Sequence, residues 1–296
     1  MSSETPPQFV DAQEVRRAFS RAAPTYGEHD FLARELDRRM QERLDYVKLT
    51  PKRVLDLGCS TGGSLTALRA RYPQAQQLGL DFSPEMLRQA LPDIPRWRRW
   101  LPGISASQCS LVAGKSEALP LAAKCIDLIW SNLLLHWLND PYPAFAEAHR
   151  VLDVGGLFMF STLGPDSFKE LRAAFKDGYS HTQRFIDMHD LGDMLVHAGF
   201  ADPVMDMEVL TLTYPSFDAL VDELRQSGGR CAMHTRRHGL AGRGVWQAAR
   251  DAYAQLAVGG SYPLTLEVIY GHAWKPVPKQ TADGRSIIQF GKRPAR

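Results

Sequence analysis

Long apolar runs are missing from this chain of 296 residues. None approaches the roughly 20 residues that cross a bilayer, so no membrane span is expected. The first ten residues, MSSETPPQFV, carry neither a basic start nor an apolar stretch, so no signal peptide is expected and the reading is cytoplasmic. Cysteine is scarce: Cys59, Cys109, Cys125 and Cys231 form no C-x-x-C. That spacing predicts scattered reduced thiols rather than a disulfide framework or a cysteine metal site. The histidines include no H-E-x-x-H, and no metal is expected. An excess of one charge is also absent. A net charge of +2 and a pI near 8.3 do not argue for nucleic acid, which is not expected as a partner. Internal repeats and low-complexity segments are absent too. What remains is ordinary for a globular protein, with 44% hydrophobic and 23% charged residues.

The pattern that is present begins with helices. Asp11 and Glu14 form a capping-box variant before Val15, Ala18, Phe19 and Ala22, spaced i, i+3, i+4, i+7. Pro24 ends that helix. Leu32, Leu36, Met40, Leu44 and Val47 mark a second, and Pro51 closes an N-terminal helical cap over 1–51. From Lys52 onward apolar strands alternate with helices, which predicts a parallel sheet covered on both faces. After residue 163 the rhythm loosens. A strand is expected in VMDMEVLTLTYP, helix over 216–256, and a late strand in YPLTLEVIYGHAWKP. PRWRRWLPG (95–103) reads as a lengthened, solvated loop.

The chemistry sits where VLDLGCSTGG turns from strand to helix. Gly58 and Gly62 let the backbone approach a ligand with no Cβ in the way. A dinucleotide turn would read G-x-G-x-x-G and a P-loop would close on Gly-Lys-Ser/Thr. Neither is here. Two carboxylates frame the turn instead: Asp56 at the end of the first strand and Asp81 at the end of the second. Carboxylates repel phosphate but suit ribose hydroxyls and positive charge. S-adenosylmethionine has a ribose, an ammonium and a sulfonium, and no phosphate.

The stretches VLDLGCSTGG, GLDFSPEML, SEALPL, IDLIWSNLLLHWL and HRVLDVGGLFMFSTLG, in this order over 52–163, resemble the class I S-adenosylmethionine-dependent methyltransferases. The resemblance implies an α/β, Rossmann-like fold: a mostly parallel seven-stranded sheet with helices on both faces. An S-adenosylmethionine-binding core would span 52–163, and 164–296 would complete the sheet and carry a helical lid insertion at about 216–260. It implies that Asp56, Gly58, Ser60 and Gly62 approach the methionine part. Asp81 would hold the ribose, Phe82 and Met86 would lie near the adenine, and Asn132 and Leu133 beside the cofactor. Two positions depart from the pattern. Ser60 replaces the commoner second glycine. Lys115 stands where an aspartate usually meets the adenine amine, which leaves Ser116 or a backbone group for that contact.

Over nearly the whole chain, VRRAFSRAAPTYGEHDFLARE, FSTLGPDSFKELR, HTQRFIDMHDLGDML and YPLTLEVIYGHAWKP resemble the malonyl-acyl-carrier-protein O-methyltransferases of biotin biosynthesis. Their usual Leu-Gln is here Leu32-Ala33. The resemblance implies methylation of the free carboxylate of malonyl-acyl carrier protein by a monomer. A carboxylate is ionised at neutral pH and needs no general base, only alignment and a cation. Arg184 is the expected cation, Tyr26 a lid, and His136 and Trp137 the pocket mouth. The segment RCAMHTRRHGLAGRG (230–244), with Arg230, Arg236, Arg237 and Arg243, is the expected docking patch for the acidic carrier. Two other readings stay open. One is a methyltransferase of a small free carboxylic acid. The other is a non-methylating relative of the fold that assembles respiratory complex I or hydroxylates arginine.

Overall fold

The computed structural model describes residues 9–90 and 109–278. Seven strands form one sheet: β1 (Arg53–Leu57), β2 (Gln76–Asp81), β3 (Cys109–Ala113), β4 (Ile126–Asn132), β5 (Leu152–Leu163), β6 (Ala201–Tyr214) and β7 (Tyr262–Trp274). Their order is β3-β2-β1-β4-β5-β7-β6. The first five strands run parallel, and β7 pairs antiparallel with both β5 and β6. The strand order therefore reverses at β1, flanked by β2 and β4. In such a sheet the crevice beyond the carboxyl ends at the reversal is where ligands sit.

Alternation along β1 sorts its side chains. Leu55 and Leu57 join the cluster that holds Phe145, Leu191 and Leu195. Val54 faces the other side, where Leu36, Met40 and Leu44 of a helix pack. That helix is α2 (Phe31–Leu44), which follows α1 (Ala12–Ala22). α3 (Gly63–Arg71) and α4 (Pro84–Ala90) follow β1 and β2. α5 (Tyr142–Val151) leads into β5, and α6 (Lys169–Ala174) and α7 (Met188–His197) lie between β5 and β6. α8 (Phe217–Gln226) and α9 (Arg243–Ala254) lie between β6 and β7. Gly271 on β7 is required by close packing, since a Cβ there would lie 2.3 Å from the ring of Phe160 on β5. No helix among the described residues is long and apolar enough to cross a membrane.

The local expectations hold with defined exceptions. Asp11 caps α1 by accepting from the backbone of Gln13 and Glu14. The reciprocal half of the capping box is missing, because the Asp11 N–H donates to Ala232 O at 2.7 Å. α2 stops at Leu44, yet Val47 still packs on the same cluster. The helix expected over 216–256 is interrupted between Gln226 and Arg243. Gly228 sits at φ +77°, where a right-handed helix cannot continue. α6 is short because Phe168 before it lies at φ +60°. The arginine-tryptophan run at 95–103 lies outside the described residues.

Candidate active site

A cavity of about 640 Å³ opens at the reversal point. Its walls come from the β1–α3 turn, the ends of β2 and β4, helix α2, and the distal parts of β6, β7 and α8. One half is polar and the other apolar.

The polar half grows from the glycine turn. Gly58 lies at φ +81°, and a Cβ on it would come within 3.2 Å of Leu134. The turn is clamped to the second strand: the N–H groups of Gly58 and Cys59 both donate to Leu80 O, at 2.8 and 3.0 Å. Asp81 finishes the clamp. Its two oxygens accept from Ser60 N at 3.0 Å and Ser83 N at 2.8 Å. It is 6% exposed, and burial raises its pKa against those hydrogen bonds. Ser60, in the place of the commoner glycine, sits at φ +49°, a conformation costing a residue with a Cβ about 1–2 kcal/mol. Its hydroxyl is 3.5 Å from Met86 Sδ and also bonds the Tyr26 phenol. Burial pushes that phenol up to about 12. Phe19, Phe82 and Trp137 form a lid of edge-on rings, with Phe19 5.2 Å from Trp137 and 6.4 Å from Phe82. Val10, Val15, Ala232 and Met233 pack behind them.

The apolar half is lined by Phe168, Phe185, Leu212, Tyr214, Leu264 and Leu266. His136 stands at its wall, 8% exposed, with Nδ1 3.4 Å from Thr162 Oγ1. Burial alone lowers its pKa to about 3, so the imidazole is neutral at physiological pH. His29 Nδ1 bonds Glu223 Oε2 at 2.8 Å and ties the N-terminal cap to α8 across the opening.

The structure brings most of the expected residues together. Tyr26, Gly58, Ser60, Asp81, Phe82, Asn132, Leu133, His136 and Trp137 all line the cavity. Asn132 also anchors α2 by donating to Ala33 O at 2.8 Å. Leu133 holds φ +57° at the end of β4. Asp56, Gly62 and Met86 lie just behind the wall. Gly62 closes the turn at φ +82°, and Met86 is wholly buried beneath Ser60.

Three expected residues are not brought in. Arg184 is exposed and outside the lining, although Gln183 and Phe185 on either side line it. The non-helical segment there turns alternate side chains outward, so Arg184 does not supply the expected cation. Lys115 is exposed and Ser116 bonds Glu117 at 2.7 Å, both away from the lining. The basic segment is also less available than its composition suggests. Arg236 lies within 3.5 Å of Asp11 and 3.7 Å of Glu14, and Arg237 reaches Asp177 at 3.3 Å and stacks on Tyr179. Arg230 and Arg243 are exposed.

Sequence reasoning missed Asp37, Gln183 and the β6–β7 wall. Asp37 sits in the charged run RELDRR, which reads as a solvated helix face. The alternation along β6 was visible, but not that its end reaches a cavity.

Comparison with known proteins narrows what such a cavity serves. A family model described as a methyltransferase domain matches residues 55–160. The malonyl-[acyl-carrier protein] O-methyltransferase of Nitrosospira multiformis is 49% identical, with 92% of this chain and 91% of that protein covered. That of Laribacter hongkongensis is 48% identical, with 95% and 96% covered. The chain belongs to the malonyl-[acyl-carrier protein] O-methyltransferase family. Solved structures add the fold. A methyltransferase candidate from Bacillus halodurans matches with a TM-score of 0.56 at 18% identity, over 81% of this chain and 99% of its own. The [4+2]-cyclase SpnF matches at 0.52 and 22%, over 82% of each. A cyclase on this fold shows why the family assignment rests on the sequence relatives and not on the sheet.

Proposed function

We propose that this methyltransferase uses S-adenosylmethionine to esterify the free carboxylate of a malonyl group carried on acyl carrier protein. The product ester would open pimeloyl synthesis for biotin. The protein is read as a cytoplasmic monomer. The observation that carries the proposal is the joining of two unlike half-cavities. A carboxylate-framed turn opens directly onto an apolar chamber whose imidazole is neutral.

The residues present fit the cofactor. Asp56 is 1% exposed and one of its oxygens, Oδ2, has no hydrogen-bond partner. Asp37 and Asp81 both push its pKa up, so the site gathers negative charge that a cationic ligand would relieve. Gly58 leaves the backbone open on the cavity side. S-adenosylmethionine, when bound, supplies a methyl group on a sulfonium leaving group. Asp81 is placed to hold ribose hydroxyls while its own oxygens brace the turn. Tyr26, Phe19 and Trp137 exclude water from the joint between the halves.

No general base is required of this chain, since the acceptor arrives ionised. His136 and Thr162 can donate or accept one hydrogen bond each to orient the malonyl end. The apolar wall holds the rest of the acyl thioester, and alignment is the main contribution. Arg230 and Arg243, next to the rim residue Gly229, are proposed to meet the acidic carrier. Arg236 and Arg237 instead fasten the segment to the N-terminal cap.

The test is to incubate the purified protein with methyl-labelled S-adenosylmethionine and, in parallel, malonyl-carrier protein, malonyl-CoA or free malonate. Base-labile label on the carrier protein, formed faster than on the other two, is the expected result. Labelling of free malonate alone would replace this reading with that of a small-acid methyltransferase. No labelling of any acceptor would overturn methyl transfer to carboxylates.

A further inference from the structure

Resting on the cofactor reading above, we infer that Asp37, contributed by α2 of the N-terminal cap, is a ligand for the cofactor's α-ammonium group, acting together with Asp56. The glycine turn and Asp81 belong to the sheet. Asp37 comes from outside it.

The placement follows from register. Asp56 on β1 pairs with Trp130 on β4, so on these parallel strands the two side chains share a face. It is the face on which Leu36 and Met40 of α2 pack. The Trp130 indole N–H donates to Asp37 Oδ1 at 2.8 Å and holds the carboxylate over the strand end. Asp37 is 8% exposed and lines the cavity. Asp56 Oδ2 is buried below it with no partner.

Two buried carboxylates side by side need a cation, and this chain supplies none there. Arg34 and Arg38 on the same helix line the cavity, but Arg34 is bound to Asp30 at 2.8 Å and Arg38 to Glu35 and Glu42. Burial raises the pKa of Asp37, and the influences that lower it are the neutral partners Ser64, Trp130 and Gln41. Isolated charges in such surroundings are costly unless a counter-charge arrives. The proposed cofactor carries two positive groups. The ammonium is the one that donates hydrogen bonds, and Asp37 and Asp56 offer acceptors for it.

The prediction separates the ammonium from the rest of the ligand. Affinities of the full-length protein and of Asp37→Asn are measured by calorimetry for three ligands. S-adenosylmethionine has the ammonium and the sulfonium, S-adenosylhomocysteine the ammonium only, and methylthioadenosine neither. Asn keeps the acceptor for the Trp130 indole and removes the charge. Loss of one charge-assisted hydrogen bond is worth about 10–100-fold in affinity. That factor is expected for both ammonium-bearing ligands, with methylthioadenosine bound within about twofold of wild type. If Asp37→Asn does not fold, Asp37→Ser carries the same comparison.

Equal losses for all three ligands would mean that Asp37 only braces Trp130, and would overturn the inference. So would unchanged affinities, or a loss confined to S-adenosylmethionine, which would point to the sulfonium. A wild-type protein that binds neither S-adenosylmethionine nor S-adenosylhomocysteine would overturn the cofactor reading itself. A normal wild type beside an unaffected Asp37→Asn overturns the inference alone.

Discussion

The two halves of the cavity are made of different material. The cofactor half is built from backbone turns and carboxylates at the ends of parallel strands, clamped by short hydrogen bonds from Gly58, Cys59, Ser60 and Ser83. The acceptor half is built from apolar side chains of an antiparallel edge, β6 and β7, and from α8. The first is rigid and specified locally. The second depends on how distant segments pack. Fold and cofactor use therefore belong to the sheet's first five strands, and acceptor choice to what is added after them.

The comparison predicts separable defects, largest first. Asp81→Ala removes the clamp on Ser60 and Ser83 and the proposed ribose contact. Cofactor affinity should fall about 100-fold or more, given about 1.5–3 kcal/mol for each charge-assisted bond lost. Calorimetry checks this, and an unchanged dissociation constant would break the assignment of the polar half.

His136→Phe should act on the other half. The KM for the malonyl substrate should rise about 5–10-fold, on the scale of one neutral hydrogen bond, while cofactor affinity is kept. The same variant has a stability signature. The folded imidazole is depressed to about 3 from its ordinary 6.5, so it resists a proton that the unfolded chain accepts. Its contribution is complete above pH 6.5 and is lost as pH falls toward 3, up to about 3 kcal/mol by pH 4. Melting temperatures from pH 7 to 4 should therefore drop more steeply for wild type than for His136→Phe. Parallel curves would mean that the ring is solvated.

Smaller effects are expected at the rim. Arg230→Glu with Arg243→Glu should raise KM for malonyl-carrier protein several-fold, leave malonyl-CoA almost unaffected, and lose its effect as salt rises. Arg236→Ala should instead lower the melting temperature, because its partners are Asp11 and Glu14. Arg184→Ala should change neither affinity beyond about twofold, as expected of an exposed side chain.

What was legible follows the same division. The β1 turn, the end of β2 and the end of β4 could be read because their signals are local: a glycine at positive φ, an aspartate at a strand end, a serine-proline helix start. Asp37 could not, because only the Trp130 indole, far along the chain, distinguishes it from the arginines and glutamates around it. Arg184 looked suitable in HTQRF, but an outward turn of one residue decides its position. The arginines of 230–244 were counted correctly, yet their acidic partners at Asp11, Glu14 and Asp177 are distant in sequence. Local chemistry is visible in a sequence, whereas neutralisation by remote partners is not.

The central claim is that the site aligns an acceptor already ionised and does not remove a proton from it. Single-turnover methyl transfer to malonyl-carrier protein, measured from pH 6 to 9 with saturating cofactor, tests this directly. Carboxylates ionise near pH 4, and His136 stays neutral across the range, so the rate should be nearly flat. A rate rising with a slope near one would show that a proton is removed from the acceptor, and would contradict a carboxylate nucleophile.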